Sequence, residues 1–159
     1  MIAVPLSGGW DSTYCLIKAL RAHSKEEVTA VFFNYGQPYL MQEFACSKRI
    51  AESFGVRYLA PTLQCLPRVG VVFTGRNYTF MQHLKDLGAG EVWFGSRNLL
   101  WCMDRFGDSN WQWANLIGHL LGIRMRTPCT LRPKWWIKRT VRLAGIPDAM
   151  IYSTEGVHV

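Results

Sequence analysis

Residues 7–12 read Ser7-Gly8-Gly9-Trp10-Asp11-Ser12; they follow the apolar run Ile2–Leu6 and precede an amphipathic stretch. A strand, a glycine-paired turn and a helix start leave a ring of backbone N–H groups without intrahelical acceptors. The helix dipole adds positive potential at the same point, so this order of elements suits an anion such as a phosphate. Gly8 and Gly9 remove the side chains that would hold backbone away from a phosphate, and they allow positive φ. Ser7 and Ser12 add hydroxyl donors, and Asp11 could hold Mg²⁺ beside the phosphates. An ordinary Asp or Ser helix cap is the plainer alternative for any one of these residues. All six together at the end of a first strand favour the phosphate site. No G-x-x-x-x-G-K-[ST] sequence occurs in the chain, so the loop is not of the Walker A kind.

Outward from this loop, strand and helix signals alternate, which predicts an α/β domain with a parallel sheet covered by helices on both faces. The expected strands are Ile2–Leu6, Val28–Asn34, Val56–Leu59, Glu91–Gly95 and Ile123–Met125, five in all. Val28–Asn34 is almost wholly apolar, as a central strand buried on both faces should be. The expected helices cover Ser12–Ala22, Tyr39–Phe54, Asn77 to about Leu87, Trp111–Leu121 and Pro133–Ala144. Gly55 suits the left-handed position that ends the second helix. Asn77 is read as the cap of the third, and Ser109-x-x-Gln112 as a capping box opening the fourth. In such sheets ligands bind beyond the carboxyl ends of the strands. The first loop, the Tyr35-Gly36-Gln37 turn, the Gly95–Asn98 turn and the polar loop after it all fall there.

The chain has 159 residues, 49% hydrophobic and 18% charged, which describes one folded domain over residues 1–159 rather than a disordered segment. No apolar run approaches the ~20 residues of a membrane span, and the chain opens on a strand without a basic leader, so a cytoplasmic protein is expected. Cys15, Cys46, Cys65, Cys102 and Cys129 are scattered, without a C-x-x-C pair. They predict neither a disulfide framework nor a zinc site. Net charge is +7, which suits an anionic ligand such as ATP; nucleic acid is the less favoured partner. The seven tryptophans predict that some lie at an interface, as in a homodimer.

The SGG-x-DS loop resembles the signature of the PP-loop ATP pyrophosphatases, whose fold is Rossmann-like (adenine nucleotide alpha hydrolase-like). Enzymes of that superfamily grip the leaving pyrophosphate of ATP while a substrate oxygen attacks the α phosphorus. Further pieces fall in a fixed order: FFNYGQ (32–37) with Glu43 soon after it, VVFTGRN (71–77), WFGSRNLLWCMDRFGDSNWQW (93–113), Pro128, Lys134 and Ala144–Pro147. Together they resemble the 7-cyano-7-deazaguanine synthase family over about residues 1–155. That family also carries a zinc-binding cysteine cluster after the last helix, where this chain has Ser153, Thr154 and Glu155.

The resemblance implies an ATP- and Mg²⁺-dependent ligase that joins ammonia to the carboxylate of a 7-deazapurine, giving a nitrile or its amide. Carboxylate oxygen leaves poorly, so activation as an acyl-adenylate must precede attack by ammonia. Ser7, Gly8, Gly9, Asp11 and Ser12 are then expected at the pyrophosphate and Mg²⁺, with Lys134 as an added cation. Lys134 has a plain alternative as a solvated first-turn lysine. Backbone groups of Ala30, Phe32 and Phe33 are candidates for adenine, with Gly95 at the neighbouring strand end. Arg76 and Asn77 are candidates for phosphate or substrate. Trp101, with Trp111, could stack on a purine, and Asp104 and Asp108 could hydrogen-bond a guanine-like edge or equally cap the Ser109 helix. The four histidines show no ligand spacing. Two other classes stay open: an adenylating enzyme with a different acceptor, and an ATP- or nucleic-acid-binding module without turnover.

Overall fold

A computed structural model describes residues 1–63, 75–100 and 109–152 of the chain. Trp101, Asp104, Asp108 and the Ser153–Glu155 segment lie outside the described residues. The elements run β1 (Ile2–Pro5), α1 (Trp10–Ala22), β2 (Val28–Val31), α2 (Leu40–Phe54), β3 (Arg57–Leu59), α3 (Arg76–Asp86), β4 (Glu91–Trp93), α4 (Trp111–Leu121), β5 (Arg124–Arg126) and α5 (Lys134–Leu143). All five strands are parallel, in the order β3-β2-β1-β4-β5.

Alternation of side chains along the strands divides the interior into two cores. Val4, Val28 and Ala30 face α1, α2 and α5, meeting Leu16, Ile50, Ile137 and Val141. Ala3, Val31 and Val92 face α3 and α4, meeting Met81, Leu84, Ala114 and Ile117. β2 is buried along its whole length, as its apolar run requires. Strand order reverses at β1, with β2 on one side and β4 on the other, so β1 ends at the crevice where open α/β sheets bind ligands.

Element types follow the sequence reading, and the ends differ for identifiable reasons. α1 begins at Trp10, two residues earlier than expected, with Gly9 as its extended N-cap. β2 leaves the ladder after Val31, and beyond it the chain keeps single backbone bonds, Phe32 N–H to Leu59 O and Asn34 N–H to Pro61 O, with an isolated bridge between Asn34 and Thr62. Asn77 does not cap α3: Gly75 does, at φ 86°, and Asn77 is buried inside the first turn. The α4 cap is Asn110 rather than Ser109; its side chain accepts from the Trp113 backbone N–H at 2.8 Å. Ser109 instead accepts, through its carbonyl, a 2.7 Å bond from Ser96 Oγ, which ties the end of β4 to the start of α4. Ile123 closes α4, with its N–H on Gly118 O at 2.8 Å, so β5 starts one residue later.

At Gly118 α4 packs tightly on the β5 region: a Cβ there would sit 2.5 Å from Met125 Cγ and 2.8 Å from the Ile123 carbonyl oxygen. Backbone cannot yield as a side-chain tip can. Gly118→Ala is expected to cost about 1–3 kcal/mol through overpacking, seen as a lower urea midpoint with an unchanged slope.

Candidate active site

A cleft of about 320 Å³ opens at the carboxyl ends of β1, β2 and β4. Its floor begins with the 7–12 loop. Gly8 takes φ 83° and presses against α2, where a Cβ would come within 2.9 Å of Cys46 Cβ and 3.0 Å of Ser47 N. The Gly8 carbonyl accepts from Tyr152 N–H at 2.9 Å. Ser12 Oγ donates to Gly9 O at 3.1 Å and accepts from Ser7 N–H at 3.2 Å, with Ser7 Oγ also 3.2 Å away. Thr13 closes the first helical bond on Gly9 O. From Gly8 to Ser12, the backbone N–H groups meet no acceptor among the described residues. This run of donors at a helix start gives a concave, positively polarised surface.

Asp11 stands in the first turn of α1. Its Oδ2 accepts from Lys134 Nζ at 3.1 Å, and its Oδ1 is buried without a hydrogen-bond partner among the described residues. The start of α5 therefore delivers its lysine to the loop from 123 positions away. Beneath the pair lies a thiol buttress. Cys129 Sγ points to the Asp11 carbonyl at 3.5 Å and lies 3.8 Å from Cys15 Sγ. Burial, with Cys129 as neighbour, pushes the Cys15 thiol well above its usual range, so it stays protonated. A Cβ added at Gly95 would lie 3.5 Å from Asp11 and Ser12, so the chain just after β4 runs close beside the helix start.

The opposite wall comes from the Tyr35-Gly36-Gln37 turn and α3. Gly36, at φ 78°, donates its N–H to Asn34 Oδ1 at 3.1 Å. Gln37 is buried and holds the turn three ways: its Oε1 accepts from Tyr35 N–H, and its Nε2 donates to Phe33 O and to Glu43 Oε2, all within 3.1 Å. Arg76, the first residue of α3, donates from Nη1 to Tyr35 Oη at 3.3 Å, and its guanidinium stands 5.6 Å from the Tyr35 ring centre. Arg76 Nε is buried without a partner among the described residues. Phe33 and Phe80 stack at 4.2 Å, and Phe94 completes an apolar floor suited to a planar ring.

Of the residues singled out in the sequence, Ser7, Asp11, Ser12, Phe32, Phe33, Arg76, Asn77 and Gly95 line this one cleft, and Lys134 reaches it through Asp11. Ala30 does not. It is fully buried and paired with Val4 on one side and Tyr58 on the other, because β2 is an inner strand rather than an edge. The Phe32 N–H is likewise taken, by Leu59 O at 2.8 Å. The Phe33 N–H, beyond the ladder, meets no acceptor among the described residues. Trp111 is half-exposed on α4 and outside the cleft lining. Gln37, Tyr35, Phe80 and Phe94 were missed as site residues. The glycine between two polar-tipped residues at a strand end marks the first two, whereas nothing local marks the phenylalanines.

A family model described as "Queuosine biosynthesis protein QueC" matches residues 1–103. A 7-cyano-7-deazaguanine synthase from Chromobacterium violaceum is 42% identical over 67 residues, which is 42% of this chain and 28% of that protein. One from Lysinibacillus sphaericus is 44% identical over 55 residues, 35% of this chain and 24% of that protein. These matches span about a quarter of each relative's length. A solved structure described as a predicted subunit of tRNA methyltransferase from Methanocaldococcus jannaschii superposes with a TM-score of 0.57 at 15% identity. That superposition covers 89% of this chain and 73% of the other, and it speaks for the fold alone. No helix among the described residues is long and apolar enough to cross a membrane.

Glu43 lines the cleft, and burial lifts its carboxyl above the ordinary carboxylate range, against the opposing pull of the Gln37 hydrogen bond and the Arg76 charge. The folded state thus holds this proton to higher pH than the unfolded chain does. Below the ordinary carboxylate range Glu43 is neutral in both states and costs nothing; stability is lost as pH rises through the lifted value. Glu43→Gln removes that loss, so its melting temperature relative to wild type should be higher at pH 7 than at pH 4. A difference that is the same at both pH values would contradict the assignment.

Proposed function

We propose, from the premise that this chain belongs to the QueC family, that its cleft binds ATP and uses it to adenylate the carboxylate of a 7-deazapurine, which ammonia then converts to the amide; a second ATP, adenylating the amide oxygen so that it leaves with AMP, carries the amide on to the nitrile. The observation that carries the reading is the run of N–H groups from Gly8 to Ser12 that meet no acceptor among the described residues, with the Asp11–Lys134 pair at its side. Such a surface suits a departing diphosphate.

In this reading the substrate carboxylate oxygen attacks the α phosphorus, and the bond to pyrophosphate breaks. The loop N–H groups, Ser7, Ser12 and Lys134 meet the charge that develops on the leaving group. Preorganised donors of this kind need no rearrangement at the moment of reaction. Asp11 Oδ1, a buried acceptor without a partner among the described residues, fits a hard cation such as Mg²⁺. When bound, Mg²⁺ offsets phosphate charge. Phe33 with Phe80 and Phe94 offers a stacking floor for one of the two purine-like rings. Arg76, held over Tyr35, is suited to the substrate carboxylate or the α phosphate. Asn77, in the next position of the same helical turn, is suited to a base edge.

Incubation with ATP, Mg²⁺, ammonium and the 7-carboxy-7-deazaguanine should yield AMP, pyrophosphate and the amide or nitrile. ADP and phosphate, or no acceptor-dependent turnover, would refute the reading. Lys134→Met should lower kcat about 10²–10³-fold, the usual scale for one transition-state donor. Asp11→Asn combined with Ser12→Ala should abolish ATP binding measurable by calorimetry while leaving the far-ultraviolet spectrum unchanged.

A further inference from the structure

Ammonia enters neutral solution almost wholly as ammonium, which has no lone pair with which to attack an acyl carbon. A site that uses it needs a group to take one proton at the point of reaction. The described residues lining the cleft include two carboxylates, Asp11 and Glu43, and no histidine. Asp11 is bound to Lys134. The Tyr35 phenol, lifted above its usual range mainly by burial, keeps its proton. Glu43 remains: among the described residues no cation lies within ion-pair distance of its carboxylate, which accepts a hydrogen bond from the neutral amide of Gln37.

We infer that Glu43 is the general base that receives ammonium in the cleft and takes its proton, an assignment that rests on the ligase reading above. Ammonium docks against the Glu43 carboxylate and one N–H bond breaks, its proton passing to the carboxylate. The freed lone pair forms the C–N bond to the acyl carbon of the adenylate. The C–O bond to AMP then breaks, and the second surplus proton leaves on the AMP phosphate. Glu43 returns its own proton to water through the open mouth of the cleft.

The surroundings fit this task. Gln37 fixes one carboxylate oxygen with a 3.0 Å bond while anchored on Phe33 O, so the other oxygen is held toward a fixed direction. From α3, Arg76 lowers the carboxyl's affinity for a proton. The tyrosines are neutral at neutral pH: Tyr35 lies at the turn, and Tyr152 packs from the C-terminal side with Cys46 of α2 near it. Burial opposes Arg76 and prevails. A carboxyl poised nearer neutrality than usual is the better proton acceptor from a weak acid.

The test uses the full chain and separates two half-reactions. Wild-type protein is assayed for carboxylate-dependent exchange of pyrophosphate into ATP, which reports adenylation alone, and for amide formation with ammonium. Glu43→Gln, which keeps the Gln37 contact, is expected to retain exchange within about threefold while ammonium-dependent amide formation falls about 10²-fold or more, the scale of general-base catalysis. The variant's remaining rate should climb with pH in proportion to free ammonia. Hydroxylamine, already neutral at pH 7, should restore its product formation to near the wild-type rate. Wild-type amidation by Glu43→Gln with ammonium would overturn the inference. So would failure of hydroxylamine to rescue, which indicates a purely structural role. Absence of exchange in the wild-type protein would overturn the ligase reading itself, and the base assignment with it.

Discussion

The contact between Gly8 and the second turn of α2 sets the position of everything that faces the cleft. A left-handed residue without a side chain is the form of backbone that lets the loop after β1 lie where an added Cβ would come within 3.0 Å of Ser47 N, and still turn directly into α1. Because Gly8 is seated there, the N–H groups of the next four residues meet no acceptor among the described residues, and Ser12 can fold its hydroxyl back on Gly9 and Ser7. The same seat aligns α1 so that Asp11 faces the start of α5 and Gly95 can lie against it. A shift at this one residue would propagate to the lysine pair, the β4 end and the thiols beneath.

Charge that looks like one basic region in the sequence is divided by the fold into separate tasks. Arg124 and Arg126, on β5, stand 3.6 and 3.8 Å from Glu91, a nearly buried carboxylate that also accepts from the Trp93 indole at 2.8 Å and lies 2.9 Å from His23. Arg142 grips Asp148 with two 2.7 Å bonds on the surface, and Lys134 goes to Asp11. Buried charge must be partnered, so these positions serve the fold and the cleft before any external polyanion. The exposed Trp135 and Trp136 and the buried Trp10, Trp93 and Trp113 show that tryptophan count alone does not separate core from surface.

The sequence made β1, its loop and α1 legible because each level agreed there: an apolar run, paired glycines, then a helical stripe. The five-strand parallel architecture followed from the same alternation. Errors came where two local signals competed and tertiary contact chose between them. Asn77 and Gly75 both suit the start of α3, and the left-handed glycine won because Asn77 is drawn into the cleft wall. Ser109 and Asn110 both suit the start of α4, and the backbone tie from Ser96 to Ser109 left Asn110 to cap. Ala30 looked available because a single strand gives no sign of its neighbours; only strand order shows that β2 lies between two others. Pairings such as Asp11 with Lys134 or Arg76 with Tyr35 join residues far apart in the chain, and no local pattern encodes them.

The cleft also holds polar groups that folding leaves unmatched among the described residues: the loop N–H donors, Arg76 Nε and Asp11 Oδ1. Arg76 Nε and Asp11 Oδ1 are buried, and each such group without a partner costs about 1–3 kcal/mol, which selection for stability alone would tend to remove. Their signs differ in an informative way. The N–H groups and the guanidinium call for an anion, whereas Asp11 Oδ1 is an acceptor and calls for a donor or a cation. A simple anion such as sulfate would satisfy the first set and leave the carboxylate oxygen facing like charge. An anion that brings its own cation satisfies both at once, and a metal-bound polyphosphate is a ligand of that description. Binding such a ligand would give both sets their partners and offset the cost of burying them.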